Sequence, residues 1–149
     1  MASVYDSGPQ CIVQCRVASA TVINKGDTIC IDGDYAVPAG DMNDSGGAAA
    51  NRETCADHFF GIAQTASANG ETDDISVDVS MEAVYQVNLA TAATLSYRAE
   101  LEPYSDGGAC SDNTFVAGTT SPIFTVVERT DSGQPVRAVM KQTWRALNT

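Results

Sequence analysis

Basic residues are scarce in this chain: eight Lys and Arg stand against 19 Asp and Glu, which gives a formal net charge of −11. Proteins that bind nucleic acid use clustered Lys and Arg to contact phosphates. Here the bases are scattered, and the nearest group is Arg137, Lys141 and Arg145. We therefore expect no nucleic-acid partner, because acidity on this scale favours solubility and repels polyanions.

Long apolar runs are also missing. Apolar runs are only a few residues long, as in Ile123–Phe124, far below the ~20 apolar residues of a membrane-spanning helix. The first ten residues, MASVYDSGPQ, lack a basic region and an apolar stretch, so we expect no secretory signal and synthesis in a cytoplasm. Hydrophobic content of 44% is nevertheless sufficient for a core, and 149 residues suit one domain.

Sequence motifs of catalysis and cofactor binding are absent. The chain contains no GxSxG, no phosphate-binding loop, no GxGxxG and no HExxH. Its five cysteines show no CxxC spacing. Without a secretion signal we expect free thiols, several of them buried, rather than disulfides or a zinc site. The sequence thus predicts a protein that is not an enzyme and has no catalytic residues, cofactor or metal.

The single histidine, His58, is followed by a group of carboxylates that includes Glu71, Asp73 and Asp74. A histidine near acids is typical of a metal site or an acid–base pair. The apolar stretch FFGIA lies between them, however, and a strand there would place them roughly 15–20 Å apart at ~3.3 Å per residue. Asn69-Gly70 with flanking acids is typical of a solvent-facing turn. We interpret these groups as surface charge.

What the chain does have is apolar residues at period two. From Ile75 to Val87, Ile75, Val77, Val79 and Met81 alternate with polar residues, and the phase slips near Ala83–Val84, which indicates a bulge or a strand end. Cys11–Val17 and Thr28–Asp32 also favour strands. Two β-rich runs around Asp131-Ser132-Gly133-Gln134 predict a hairpin. We predict an all-β fold: a single compact β-barrel or β-sandwich of short strands with little helix.

The two halves of the chain repeat one order of elements: strand, acidic glycine turn, loop, strand, glycine turn, strand. This repetition favours two similar β units. We expect an N-terminal arm over residues 1–10 and a β domain over residues 11–149.

A long loop is predicted at residues 39–57. Its Asp41-x-Asn43-x-Ser45-Gly46 matches half of a calcium-binding loop. Arg52 occupies the position where a Glu is required, so we interpret it as a solvated turn. The best helical candidate, AAANRETCADHF, lies at residues 48–59.

Three segments together resemble the decoration, or cement, proteins of tailed-bacteriophage capsids. They are INKGDTICIDGDYAVPAG (23–40), FFGIAQTASANGETDDISVDVS (59–80) and the closing hairpin. The chain departs from that family's pattern at residues 41–57 and at Glu82-Ala83-Val84, where Gly-Val is usual. The resemblance implies a β-barrel or β-sandwich that assembles, often as a trimer, on the capsid exterior in the host cytoplasm. There it would clamp neighbouring major capsid subunits.

The same resemblance implies contact residues in the arm and the loop: Tyr5, Pro9, Met42 and Arg52. The expected partners are the major capsid protein and further copies of this chain, in a homotrimer, with no membrane. Two alternatives stay open. One is a tail, fibre or other surface β module that binds a receptor or a glycan, and the other is a small acidic enzyme.

Overall fold

A computed structural model of the chain describes residues 2–42, 46–106, 108–133 and 135–141. These residues form short strands with one α-helix, α1 (Ala48–His58), and a 3-10 helix, Ala39–Asp41. The all-β prediction is confirmed. Within them, no helix has the length and apolar character that crossing a bilayer requires. The strands are β1 (Val4–Ser7), β2 (Ile12–Cys15), β3 (Thr28–Asp32), β4 (Tyr35–Pro38), β5 (Phe59–Ala63), β6 (Ile75–Asp78), β7 (Val84–Leu89), β8 (Ala93–Leu95), β9 (Glu100–Ser105), β10 (Cys110–Ala117), β11 (Phe124–Val126), β12 (Thr130–Gly133) and β13 (Val136–Met140).

The first half of the chain builds a five-stranded antiparallel sheet, which we call the first β unit. Its strand order is β2-β6-β5-β3-β4. The Ala36 N–H on the outer strand β4 donates to the carbonyl of Arg16 (2.8 Å), which directly follows the other outer strand, β2. This hydrogen bond draws the two outer strands together. Ile23, Ile29, Ile75 and Val77 form the centre of its core.

The second half builds a closed ring, which we call the second β unit. The strands follow the order β7-β10-β9-β11-β13, and β13 pairs with β7 to complete the ring. The β7–β10 pairing is parallel and the others are antiparallel. Closure removes exposed strand edges. Inside, Phe115 and Phe124 pack edge to face with ring centroids 4.9 Å apart. The successive halves thus form two β units, each with its own set of strands.

The predicted closing hairpin is present, although its connection is more elaborate than one turn. β11 pairs with β13, with Phe124 opposite Met140 and Val126 opposite Ala138. Between them, β12 leaves the ring and pairs with β8. The phase slip near Ala83–Val84 is also explained, because β6 ends at Asp78 and β7 begins at Val84.

The long loop predicted at residues 39–57 is corrected by the structure, since it contains the 3-10 helix and most of α1. The helical candidate at residues 48–59 is confirmed. Three alanines begin α1 with high helix propensity. Asn51, Cys55 and Ala56 are its buried residues, and their spacing places them on one face. Asn43 and Ser45 of the calcium-like half-match lie outside the described residues.

The N-terminal segment, predicted as an arm, lies on the domain from residue 2 onward. β1 pairs antiparallel with β7, and the Ser3 N–H donates to the Gly26 carbonyl (3.2 Å). Ser3 is buried, and the Asp6 carboxylate forms an ion pair with Arg137 (3.4 Å). Paired backbone and a buried residue make these positions part of the folded domain rather than a free extension.

Candidate binding surface

Of the eight large apolar side chains that are exposed in the described residues, four lie on β1, β2 and the β6–β7 loop. Val4 and Tyr5 on β1 are 57% and 42% exposed, Ile12 on β2 is 45% exposed, and Met81 in the β6–β7 loop is 43% exposed. Pro9 is also exposed. We call these five residues the N-terminal surface. Exposed apolar side chains of this kind are available for contact with a partner.

The turn that carries Pro9 is fixed against the β6–β7 loop. The Ser80 hydroxyl donates to the Pro9 carbonyl (2.7 Å) and accepts from the N–H groups of Glu82 (3.0 Å) and Ala83 (3.2 Å). Gly8 has φ +91°, and a Cβ there would come within 2.5 Å of the Glu82 carbonyl oxygen. The close approach of the two backbones therefore requires glycine at position 8.

A fully buried carboxylate, that of Asp78, lies beneath this turn. Its Oδ1 accepts from the N–H groups of Cys11 and Ser80, each at 3.0 Å. Its Oδ2 accepts from the Tyr85 hydroxyl at 2.6 Å. A buried carboxylate is tolerated only when its oxygens are hydrogen-bonded. Three donors meet that need and fix the start of β2, the end of β6 and the start of β7.

The Tyr85 phenol extends this network toward the exterior. It accepts from Gln64 Nε2 (2.8 Å) and Gln10 Nε2 (3.3 Å). Burial, together with the hydrogen bond to Asp78, raises the pKa of Tyr85, so the phenol stays protonated and donates. The Tyr5 ring packs edge-on against the Tyr85 ring with centroids 5.9 Å apart, and its hydroxyl donates to the Gly8 carbonyl (2.6 Å). The N-terminal surface therefore rests on an ordered polar layer.

A cavity of about 560 Å³ opens beside this network. The N-terminal segment forms one wall through Ala2, Ser3, Val4 and Tyr5, and the first β unit forms another. Its polar lining comes from Gln10, Lys25, Gln64 and Tyr85. The volume is in the range of small-molecule sites.

The four predicted contact residues do not lie together. Tyr5 and Pro9 belong to the N-terminal surface. Met42 is corrected by the structure: it is 7% exposed and belongs to the buried cluster that includes Cys30, Cys55 and Cys110, because its flexible apolar side chain suits an irregular interior. Arg52 is half-buried on α1, which packs against β3, β9 and β10. The two loop residues are therefore separate from the arm residues.

The structure places His58 at the end of α1, with Nδ1 2.9 Å from the Thr54 carbonyl oxygen. In the described part of the chain, no hydrogen bond or ion pair joins it to Glu71, Asp73 or Asp74. The described residues also contain no group of three His, Cys, Asp or Glu side chains arranged to hold a metal ion.

Sequence reasoning missed the residues that organise this surface. The alternation from Ile75 predicts an exposed Asp78 and a buried Met81, whereas Asp78 is fully buried and Met81 is 43% exposed. The period-two pattern ends with β6, and the chain then turns toward β7. The alternation does not mark Asp78 as buried, because two of its three donors, Cys11 and Tyr85, come from other parts of the fold.

These observations define a small all-β protein with two β units and an exposed apolar surface held by a buried hydrogen-bond network. Its sequence matches no protein-family model, and no curated protein is significantly similar to it.

Proposed function

We propose that this chain is a structural virion protein that binds the outer surface of a bacteriophage capsid and stabilises it by clamping neighbouring major capsid subunits. The observation that carries the proposal is the N-terminal surface: exposed apolar side chains fixed in place on an otherwise acidic chain. A preorganised surface loses little conformational entropy on binding. The resemblance of residues 23–40 and 59–80 to decoration proteins supplies the class of partner.

Charge supports attachment through apolar contacts. A net charge of −11 per chain repels an acidic shell, so attraction has to come from buried apolar area, which is worth roughly 25 cal/mol per Å² before the costs of association. Binding of this kind is expected to survive ~0.5 M salt, which screens charges beyond a few ångströms.

We further propose that copies of the chain associate as a homotrimer on the particle. β1 stands at the end of its sheet order and carries Val4 and Tyr5. An edge strand with exposed apolar residues favours pairing with a neighbouring chain. Contact between copies would protect this edge once the chain is concentrated at the capsid surface.

The test is co-sedimentation of the purified chain with capsids of the encoding phage that lack it. A Val4→Ser/Met81→Ser double variant should lower the bound fraction at least tenfold. The matched control is Val22→Ser/Val127→Ser, since those two valines are 49% and 42% exposed outside this surface. Equal binding by the two double variants would refute the role of the N-terminal surface. Capsids that withstand heat and osmotic shock equally well without the chain would refute the function.

The cavity specifically favours a second candidate function, a tail or fibre module that binds a glycan. The Tyr5 ring and the Lys25 amine in its lining are the kind of aromatic surface and donor that hold sugars. Binding to an array of host-surface glycans, with no binding to capsids, would favour this alternative.

A further inference from the structure

Three cysteines meet in the interior where the two β units and α1 come together. Cys30 lies on β3, Cys55 on α1 and Cys110 at the start of β10, and they are 0%, 0% and 4% exposed. We call these three residues the cysteine cluster. Val37, Ala39 and Met42 enclose it, and all of its thiols are free.

Two of these sulfurs are close to bonding distance. Cys30 Sγ lies 3.5 Å from Cys55 Sγ and 3.4 Å from the Cys55 carbonyl oxygen. A disulfide bond is about 2.05 Å long, so the pair has to approach by about 1.5 Å. A shift of each sulfur by half of that distance would close the gap. Metal binding does not explain the arrangement, because the described residues offer no set of three ligands around a common point.

We propose that Cys30 and Cys55 form an intramolecular disulfide when the chain meets a low-molecular-weight disulfide such as oxidised glutathione. This inference is independent of the proposed function. The Cys55 thiolate attacks one sulfur of the reagent and releases one thiolate, which takes up the proton lost by Cys55. The Cys30 thiolate then attacks the Cys55 sulfur of the mixed disulfide and releases the second thiolate, which takes up the proton of Cys30. Two protein thiols are oxidised and one reagent disulfide is reduced.

The closed structure holds Cys55 in its thiol form. A hydrogen bond with Cys110 opposes the rise in the pKa of Cys55, but the contact with Cys30 and burial raise that pKa well above its usual value. The reactive thiolate is therefore rare until α1 separates from β3. An eleven-residue helix opens more readily than the strands of a core, so oxidation should be slow and should accelerate under mild destabilisation.

The bond would change the stability of the domain. Cys30 and Cys55 are 25 positions apart, and the bond would join α1 to the first β unit. A crosslink across a loop of this length restricts the unfolded chain. For a domain of this size we expect the melting temperature to rise by roughly 5–10 °C.

The experiment uses the full chain with Cys11→Ser, which removes the exposed thiol that would otherwise react with the reagent. The protein is incubated with oxidised glutathione at 25 °C and in ~1 M urea, then unfolded and alkylated. Intact mass should show a loss of two hydrogens and two fewer alkylated thiols. Peptide mapping should link Cys30 to Cys55, and dithiothreitol should reverse the increase in melting temperature.

Two further variants distinguish a Cys30–Cys55 disulfide from a disulfide between Cys55 and Cys110. Cys110→Ser should leave bond formation intact, and Cys30→Ser should abolish it. In the Cys11→Ser protein, persistence of all four remaining thiols both without urea and in ~1 M urea would overturn the proposal. A bond from Cys55 to Cys110 would overturn it as well. Mapping of the Cys11→Ser protein gives this answer even if a core variant fails to fold.

Discussion

The hydrogen bond between Tyr85 and Asp78 is the most informative single interaction to remove. Tyr85→Phe deletes the hydroxyl that donates to Asp78 Oδ2 at 2.6 Å and leaves one oxygen of a fully buried carboxylate without that donor. A hydrogen bond to a charged group contributes about 1.5–3 kcal/mol. We expect the free energy of unfolding to fall by about 2–3 kcal/mol. The melting temperature should then fall by roughly 4–12 °C, at about 2–4 °C per kcal/mol.

Asp78→Asn tests the same bond from its other end. The amide oxygen still accepts from the N–H groups of Cys11 and Ser80. The amide N–H₂, however, then faces a phenol that already accepts from Gln64, and the phenol proton loses its acceptor. This variant should also lose about 2–3 kcal/mol. Each single variant already removes the hydrogen bond between the two residues. The double variant should therefore lose about 1–2 kcal/mol less unfolding free energy than the two single variants lose in sum.

Urea unfolding followed by circular dichroism measures these differences. Tyr97→Phe is the control, because Tyr97 is 67% exposed, and its cost should stay below about 0.5 kcal/mol. The reasoning is refuted if Tyr85→Phe behaves like Tyr97→Phe, or if the two network variants are simply additive.

Three further predictions concern a glycine, a carboxylate and the histidine. A Cβ at Gly61 would collide with the Asp78 carbonyl, so Gly61→Ala should lower the free energy of unfolding by about 3 kcal/mol or prevent folding. Gly108→Ala is the control, because a Cβ there meets nothing within 4 Å. Equal melting temperatures for the two variants would contradict this prediction. Burial raises the pKa of Asp27 from 3.8 to about 6, so the folded protein binds a proton more tightly than the unfolded chain does. The stabilisation that this proton gives to the folded state is complete below about pH 4 and is lost as the pH rises through about 6. Asp27→Asn should remove a decline on the order of 2–3 kcal/mol in urea titrations between pH 4 and 7, and parallel curves for the two proteins would rule it out. His58→Ala and EDTA should each leave the melting temperature within about 1 °C, because the exposed His58 ring is hydrogen-bonded to a carbonyl of its own helix and the described residues hold no group of metal ligands. A large fall on chelation would indicate a bound metal.

The sequence predicts the fold where the information is local. The composition and flanking turns of Thr28–Asp32 predict a strand, and β3 has those bounds. The helical candidate at residues 48–59 matches α1, because alanine-rich helix formers carry their preference in their own covalent structure. The closing hairpin follows from two β-rich runs, but the turn predicted at Asp131–Gly133 is wrong, because these residues belong to β12, which pairs with β8.

The site depends on contacts that are distant in sequence, and for that reason the pattern misassigns it. Asp78 occupies a polar position in an alternating strand, which predicts exposure. It is buried because the turn at residues 8–11 folds over it and Tyr85 reaches it from the next strand. Met42 shows the reverse case: a residue expected in an exposed loop is buried by α1, whose packing partners lie on β3 and β10.

The N-terminal segment is both the proposed contact surface and the junction between the β units, and this limits what a deletion can show. Residues 2–11 bond to the first β unit at Gly26 and Asp78, and to the second through the β1–β7 pairing and Arg137. Asp78 itself ends the first unit and binds Tyr85 in the second. Removing residues 1–10 should therefore lower both capsid binding and the free energy of unfolding, the latter by about 2 kcal/mol or more, since a strand pairing and an aromatic contact are lost together. A free arm would lose binding alone. Urea unfolding of the truncated chain distinguishes the two cases, and an unchanged midpoint would show that the segment is dispensable for folding. If the midpoint is unchanged, loss of binding on truncation reports on contacts between the segment and the capsid. If the midpoint falls, evidence for those contacts has to come from Val4→Ser/Met81→Ser, which changes exposed atoms and leaves the backbone pairing in place.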